Sequence, residues 1–112
     1  MIQEFLNKFH FKDIHDSDSC GDTPLYYAVL WKEPMIAKKL LDLGANVNKK
    51  CEFGVTPLYE AISENDVVMV KLLLENGAKI DIKTDCGDTA EDLSRNSDNP
   101  EIIELLHIWG SR

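Results

Sequence analysis

The side chains best equipped for chemistry in this chain are its carboxylates, and their spacing does not build a reaction centre. Glu60 and Glu64 stand one helical turn apart, close enough in principle for acid–base work. Such a pair functions only where a pocket drives the two pKa values apart, and on an open surface both stay ionised. His10, His15 and His107 share no spacing with carboxylates or cysteines that would make a metal site. Cys20, Cys51 and Cys86 are odd in number and form no C-x-x-C pair, so free thiols in a reducing compartment are expected. The chain has no G-x-S-x-G, no phosphate loop and no dinucleotide fingerprint. No enzyme, cofactor or metal is expected, and the work left to the carboxylates is attraction.

Their number favours that reading. Twenty acidic residues against 12 basic ones give a formal net charge of −8, which argues against nucleic acid, whose binders gain affinity from clustered Lys and Arg. A basic partner protein is the natural complement. At 112 residues, 44% hydrophobic and 29% charged, the chain has the composition of one globular domain. No apolar run approaches the roughly 20 residues that span a bilayer. The start, MIQEFLNKFHFKD, lacks a basic leader and a cleavage site. A soluble, cytoplasmic, monomeric protein is expected, with no membrane partner.

The elements that must carry these side chains are set by a repeat. Gly21, Gly54 and Gly87 are spaced by 33, as are Thr23, Thr56 and Thr89, Leu40, Leu73 and Leu106, and Gly44, Gly77 and Gly110. Pro24 recurs as Pro57, Leu25 as Leu58, Ala28 as Ala61 and Val47 as Ile80. The threonines read as N-caps, with Pro24 and Pro57 at the first helical position. Short helices are predicted over 24–31, 57–64 and 90–96, with apolar faces at Leu25, Ala28 and Val29, then Leu58, Ala61 and Ile62. Second helices start near Pro34, Val67 and Pro100, and the first two end at Gly44 and Gly77, placed as left-handed C′ residues. Helices this short bury too little alone and must stack on their neighbours.

The units D-x-C-G-D-T-P-L-Y-Y-A…L-L-D-L-G-A-N-V-N and G-V-T-P-L-Y-E-A…V-K-L-L-L-E-N-G-A-K-I-D resemble ankyrin repeats, and the resemblance covers residues 18–110. It implies an all-α solenoid of stacked helix-turn-helix units. The expected division is an N-terminal cap over 1–17, full repeats over 18–50 and 51–83, and a polar capping repeat over 84–112, together a complete small domain. Ile2, Phe5, Leu6 and Phe9 give the first cap one apolar helical face, and Asp13-Ile14-His15 echoes Asn46-Val47-Asn48. The family pattern has His after T-P-L, where this chain has Tyr26 and Tyr59. The tie between neighbouring loops that this His makes must pass to the phenol or be lost. In the third unit Glu91 and Asp92 replace Leu58 and Tyr59, the polar drift a terminal repeat needs.

The resemblance also implies where a partner sits, on the concave surface of first helices and hairpin tips. The matching tip positions are Ser19, Cys20 and Asp22, then Glu52, Phe53 and Val55, then Asp85, Cys86 and Asp88. Helical spacing extends the face through Tyr27, Leu30 and Trp31, and through Glu60, Ser63 and Glu64. Segments 18–33, 51–66 and 84–99 hold 12 acidic residues and two basic ones, Lys32 and Arg95, a net of −10, while the other 8 acids and 10 bases leave the rest at +2. Helix-dipole and capping preferences account for Asp66, Glu91 and Asp92 without a partner. Trp31 either anchors a partner or folds over Phe5 or Phe9, Phe53 has no helical neighbour to cover it, and Trp109 suits cap packing. Cys20 and Cys86 stand two repeats apart, about 20 Å if helices pack at ~10 Å, too far for a disulfide, which needs Cα atoms within about 7 Å.

The expected function is a non-catalytic interaction module for a basic partner, of the inhibitor or toxin-immunity kind. Its expected contacts are Tyr27, Leu30, Trp31, Phe53 and Val55 within a rim of Asp22, Glu52, Glu60, Glu64, Asp85 and Asp88. A scaffold, adaptor or host-directed effector that tethers proteins without inhibiting them is the alternative, with a second surface around Lys38, Lys39 and Lys71.

Overall fold

Each first helix starts on a threonine whose hydroxyl accepts the amide three residues on: Thr23 from Tyr26, Thr56 from Tyr59, Thr89 from Asp92. This satisfies one of the amides that a helix start leaves without a partner. Pro24 and Pro57 follow at positions whose amides are not needed. In the third unit, which lacks the proline, the Asp92 carboxylate reaches back to the Thr89 amide and closes a capping box. Asp66 caps one second helix through the Met69 amide, and Asn99 caps the next through the amides of Glu101 and Ile102.

The structure, a computed structural model, describes residues 1–110. Ser111 and Arg112, the last two residues of the segment expected over 84–112, lie outside the described residues. The helices are α1 (Ile2–Lys8), α2 (Pro24–Leu30), α3 (Pro34–Asp42), α4 (Pro57–Ser63), α5 (Val67–Glu75), α6 (Ala90–Arg95) and α7 (Pro100–Gly110). A single 3-10 turn spans Glu52–Gly54, and no strand occurs among the described residues. Helices α2, α4 and α6 form one layer, α3, α5 and α7 the other, and α1 packs on α3 at one end. The all-α solenoid is as expected, and the helix starts agree with those read from the repeat.

The helix ends share one device. Gly44 and Gly77 take left-handed backbone (φ 101° and 90°). The amides of Gly44 and Ala45 return to the carbonyls of Leu41 and Leu40, and those of Gly77 and Ala78 to Leu74 and Leu73, which is the Schellman arrangement. The Asx turns also repeat: Asp13 accepts the His15 amide at 2.8 Å, as Asn46 accepts that of Asn48 at 2.9 Å.

Between the layers lies one continuous core in which Leu25, Leu40, Leu58, Met69, Leu73 and Ile102 are fully enclosed. Phe5 closes it at the α1 end, stacking edge-on against Phe9 at 5.0 Å. Leu58 sits in α4, with α2 and α6 on either side and α5 behind. Leu58→Ala should therefore cost about 2–5 kcal/mol, through lost transfer free energy and an unfilled cavity. The shift in the urea midpoint checks this, and a loss under about 1 kcal/mol would mean that the stack does not share one core.

Candidate protein-binding face

The tie between neighbouring repeats is made by the phenols. The buried Tyr26 donates its hydroxyl to Glu60 Oε1 of the next unit at 2.9 Å, and Tyr59 donates to Asp88 Oδ2 of the third at 2.5 Å. Tyr27 turns to the cap side and donates to Asp18 Oδ2 at 2.5 Å. At the tips, Asp22 Oδ1 accepts the Glu52 amide at 2.9 Å. The next tip has Val55 where the first has Asp22. There the link is backbone, with the Asp85 amide donating to the Phe53 carbonyl at 3.0 Å. That approach requires Gly54, where an added Cβ would stand 2.6 Å from Asp85 Oδ1.

Because the donors are neutral hydroxyls and amides, these bonds fix the carboxylates without cancelling their charge. Burial pushes the Asp18 carboxyl up, but hydrogen bonds from Tyr27 and the amides of Asp22, Cys20 and Gly21 outweigh it and hold Asp18 below the usual range. Hydrogen bonds from Thr84 and then Tyr59 hold Asp88 low as well. In return the phenols of Tyr27 and Tyr59 are pushed up to about 12, first by the bonds to Asp18 and Asp88, then by burial. Glu60 departs from the expectation that both acids of its pair behave as open-surface groups. Burial pushes its carboxyl up against the lowering effect of Tyr26, and the charges of Glu64 and Asp22 add to the rise. Among the described residues, the ion pairs on this face are those of Arg95 with Glu91 and Asp92. None joins a cation to Glu52, Glu60, Glu64, Asp85 or Asp88.

The expected contact residues separate into two groups. Trp31, Phe53 and Leu30 are exposed, Trp31 by 60% and Phe53 by 70%. Asp85 is exposed, and Glu52, Val55 and Glu64 are half-buried. Asp22 is corrected: at 7% exposure, with its carboxylate on the Glu52 amide, it braces the tips from within and is no rim residue. Tyr27 is also largely committed, its hydroxyl to Asp18 and its ring edge-on to Phe9 at 4.9 Å and Phe11 at 5.0 Å. Glu60 and Asp88 lie on the face, each held by a tyrosine of the preceding unit.

Of the two alternatives for Trp31, the structure shows the contact with the cap and leaves the ring largely open. Its ring leans on Phe9 at 5.8 Å, and most of its surface stays open. The Lys8 ammonium lies 5.6 Å from that ring and 5.4 Å from Phe9, a cation–π contact at the edge of the acidic face. Lys8 belongs to the cap helix outside the 33-residue register, so the repeat gives no signal for it. The Asn65–Asn99 side-chain bond at 2.8 Å, between successive helix turns, was equally silent in the pattern. Trp109 packs partly buried against the core. Cys20 and Cys86 are exposed free thiols, and Cys51 is a buried one. Among the described residues no group of three His, Cys, Asp or Glu is placed to hold a metal ion, and no helix is long and apolar enough to cross a membrane.

The family model described as ankyrin repeats (many copies) matches residues 40–94, and the model for the ankyrin repeat matches residues 20–52. The chain belongs to the ankyrin-repeat family. Ankyrin repeats are generally protein–protein interaction modules, typically without catalysis. No curated protein matches the chain.

Two outcomes follow from this geometry. Phe53 is held at φ 60°, a left-handed conformation that costs an L-residue about 1–2 kcal/mol, and little of its ring is buried. Phe53→Gly should stabilise the fold by about 1 kcal/mol, part of the relief being offset by glycine's greater unfolded freedom; an unchanged or lower urea midpoint would contradict this. The second outcome concerns pH. Asp18 and Asp88 titrate lower in the fold than in the unfolded chain, so their stabilisation is present above the ordinary Asp value of 3.8 and is lost as the pH falls through their folded values. Glu60 has the opposite sign: its raised pKa makes the fold gain, relative to the unfolded chain, as the pH falls toward the ordinary 4.5. Tyr59→Phe removes a donor to Asp88, so the variant should lose less stability on acidification than the native chain does. Denaturation curves across the acid range check this, and parallel losses would exclude the Asp88 link.

Proposed function

We propose that the chain is a non-catalytic binding module that takes a basic partner protein on its concave face. Leu30, Trp31 and Phe53 are its apolar contacts, with Val55 beside them, and Glu52, Glu64 and Asp85 are the carboxylates nearest solvent. The observation that carries this reading is the pairing of largely open aromatic side chains with carboxylates that meet no cation among the described residues. Uncompensated charge of one sign speeds the encounter with a partner of the other sign. Exposed Trp and Phe supply affinity, because they bury much area for few rotatable bonds. The same field repels nucleic-acid phosphates. The exposed thiols of Cys20 and Cys86 suit the reducing cytoplasm.

In its strongest form the module is an inhibitor of the immunity type, covering a basic working surface such as the nucleic-acid groove of a toxic nuclease. The adaptor or host-directed effector is the second reading. It is favoured by a separate apolar groove on the outer helices that leaves the concave face free.

Affinity capture from the native cell extract at low and high salt tests the site. A basic protein should be retained by the native chain at low salt and released at high salt. A Trp31→Ala, Glu64→Lys, Asp85→Lys variant, folded by circular dichroism, should bind more than about tenfold more weakly. Equal capture by both forms would place the site elsewhere. Loss of the captured protein's activity identifies an inhibitor, and its survival identifies an adaptor.

A further inference from the structure

At its cap end the concave face already holds a cation. Lys8, in the last turn of α1, sets its ammonium over two rings, 5.4 Å from the centre of Phe9 and 5.6 Å from that of Trp31. The two rings form a notch, tilted at 37° with their centres 5.8 Å apart. Its floor is fixed, because Phe9 also meets Phe5 and Tyr27 edge-on at 5.0 and 4.9 Å. Its wall is Trp31, 60% exposed. The usual partner of a helical lysine is an acid one turn earlier, here Glu4. Glu4 instead meets the Met1 amine at 3.8 Å, and no ion pair among the described residues includes Lys8. The exposed Lys8 is met by the rings.

We propose, resting on the concave-face function, that this notch is the seat for an arginine side chain of the basic partner, and that Lys8 fills it until the partner arrives. A cation over an aromatic face is held by the ring quadrupole, so the place that suits Lys8 suits an incoming cation. A guanidinium is the better occupant, being planar, more weakly hydrated than an ammonium and able to stack on a ring. Glu64 takes the place of Trp31 one repeat on, which sets a carboxylate on the side of the indole away from the cap. That carboxylate meets no cation among the described residues. Lys8 gives way at little cost, since Glu4, one turn earlier, offers it an exposed pair of comparable strength. A partner without an arginine at this point must displace Lys8 and put nothing in its place, so the lysine also discriminates between partners.

Side-chain NMR of the full chain, with hexa-arginine as the probe, tests this. In the free chain the Lys8 ε-methylene protons should be shielded by the rings, and Trp31→Ala should move them back toward their ordinary position. Hexa-arginine should remove the shielding and shift the Trp31 indole signal. Lys8→Gln, with an unchanged circular dichroism spectrum, should tighten hexa-arginine binding about two- to fivefold. Most of that gain should vanish in the Trp31→Ala background, where only the lost charge repulsion remains. Unshielded Lys8 protons in the free chain would overturn the seat and leave the acidic face standing. So would hexa-arginine that binds while Lys8 stays shielded, or a Lys8→Gln gain that is the same with and without Trp31. A chain that fails to bind hexa-arginine even at low salt would overturn both the seat and the acidic face.

Discussion

Two hydrogen bonds from phenols to carboxylates, Tyr26 to Glu60 and Tyr59 to Asp88, are the constraint on which the arrangement of the concave face depends. No single unit of this chain can bury its apolar surface alone, so the fold exists only if neighbours hold their spacing. The core supplies most of the free energy, but apolar contact is not directional. The hydroxyls supply the direction, each from one first helix to the unit that follows. Because the donor is neutral, the acceptor keeps its charge. A lysine or arginine in the same place would have tied the repeats equally well and neutralised the face.

This has consequences in both directions along the chain. Toward the fold, the phenols are held in their neutral form, Tyr59 with its pKa pushed up to about 12, so the tie is stable across physiological pH. For the proposed function, the carboxylates would be ordered before a partner arrives, and less side-chain freedom would be lost on binding than with mobile acids. The tips show the same economy: Asp22 spends its carboxylate on the Glu52 amide, whereas Gly54 lets the third tip bond directly to the Phe53 carbonyl. Among the described residues four non-glycine residues, His10, Lys32, Phe53 and Asn65, sit at positive φ. Three of them end helices. The fourth holds an open aromatic ring at a tip.

The fold was legible because its punctuation is local. Thr23, Thr56 and Thr89 cap helices through their own neighbours, and Gly44 and Gly77 end them within one turn, so the 33-residue register alone places these elements. The geometry of the candidate site was legible in outline only. Register shows that Asp22 and Asp88 occupy equivalent positions, but Asp22 turns inward to a backbone amide, and Asp88 receives a tyrosine from the preceding unit. That difference depends on the neighbouring tip, Val55 standing between them in the series, which no single unit encodes. Trp31 could not be assigned from spacing because Phe9, the ring it leans on, lies in a cap helix with no register relation to it. Glu60 read as an open-surface acid because the burial that raises its pKa, against the lowering hydrogen bond from Tyr26, 34 residues away, arises only when the repeats stack.

An ordered acidic face requires that these carboxylates be charged while they are tied. Carbon-detected NMR titration of the side-chain carboxyls, with the native chain compared with Tyr59→Phe, measures this residue by residue. Asp18 and Asp88 should titrate below the ordinary Asp range and Glu60 above the ordinary Glu range, with Asp88 alone moving back toward normal in the variant. If Asp88 titrates normally in the native chain, or is unmoved by the loss of the Tyr59 hydroxyl, the phenol does not hold it, and the ordered acidic face has no physical basis.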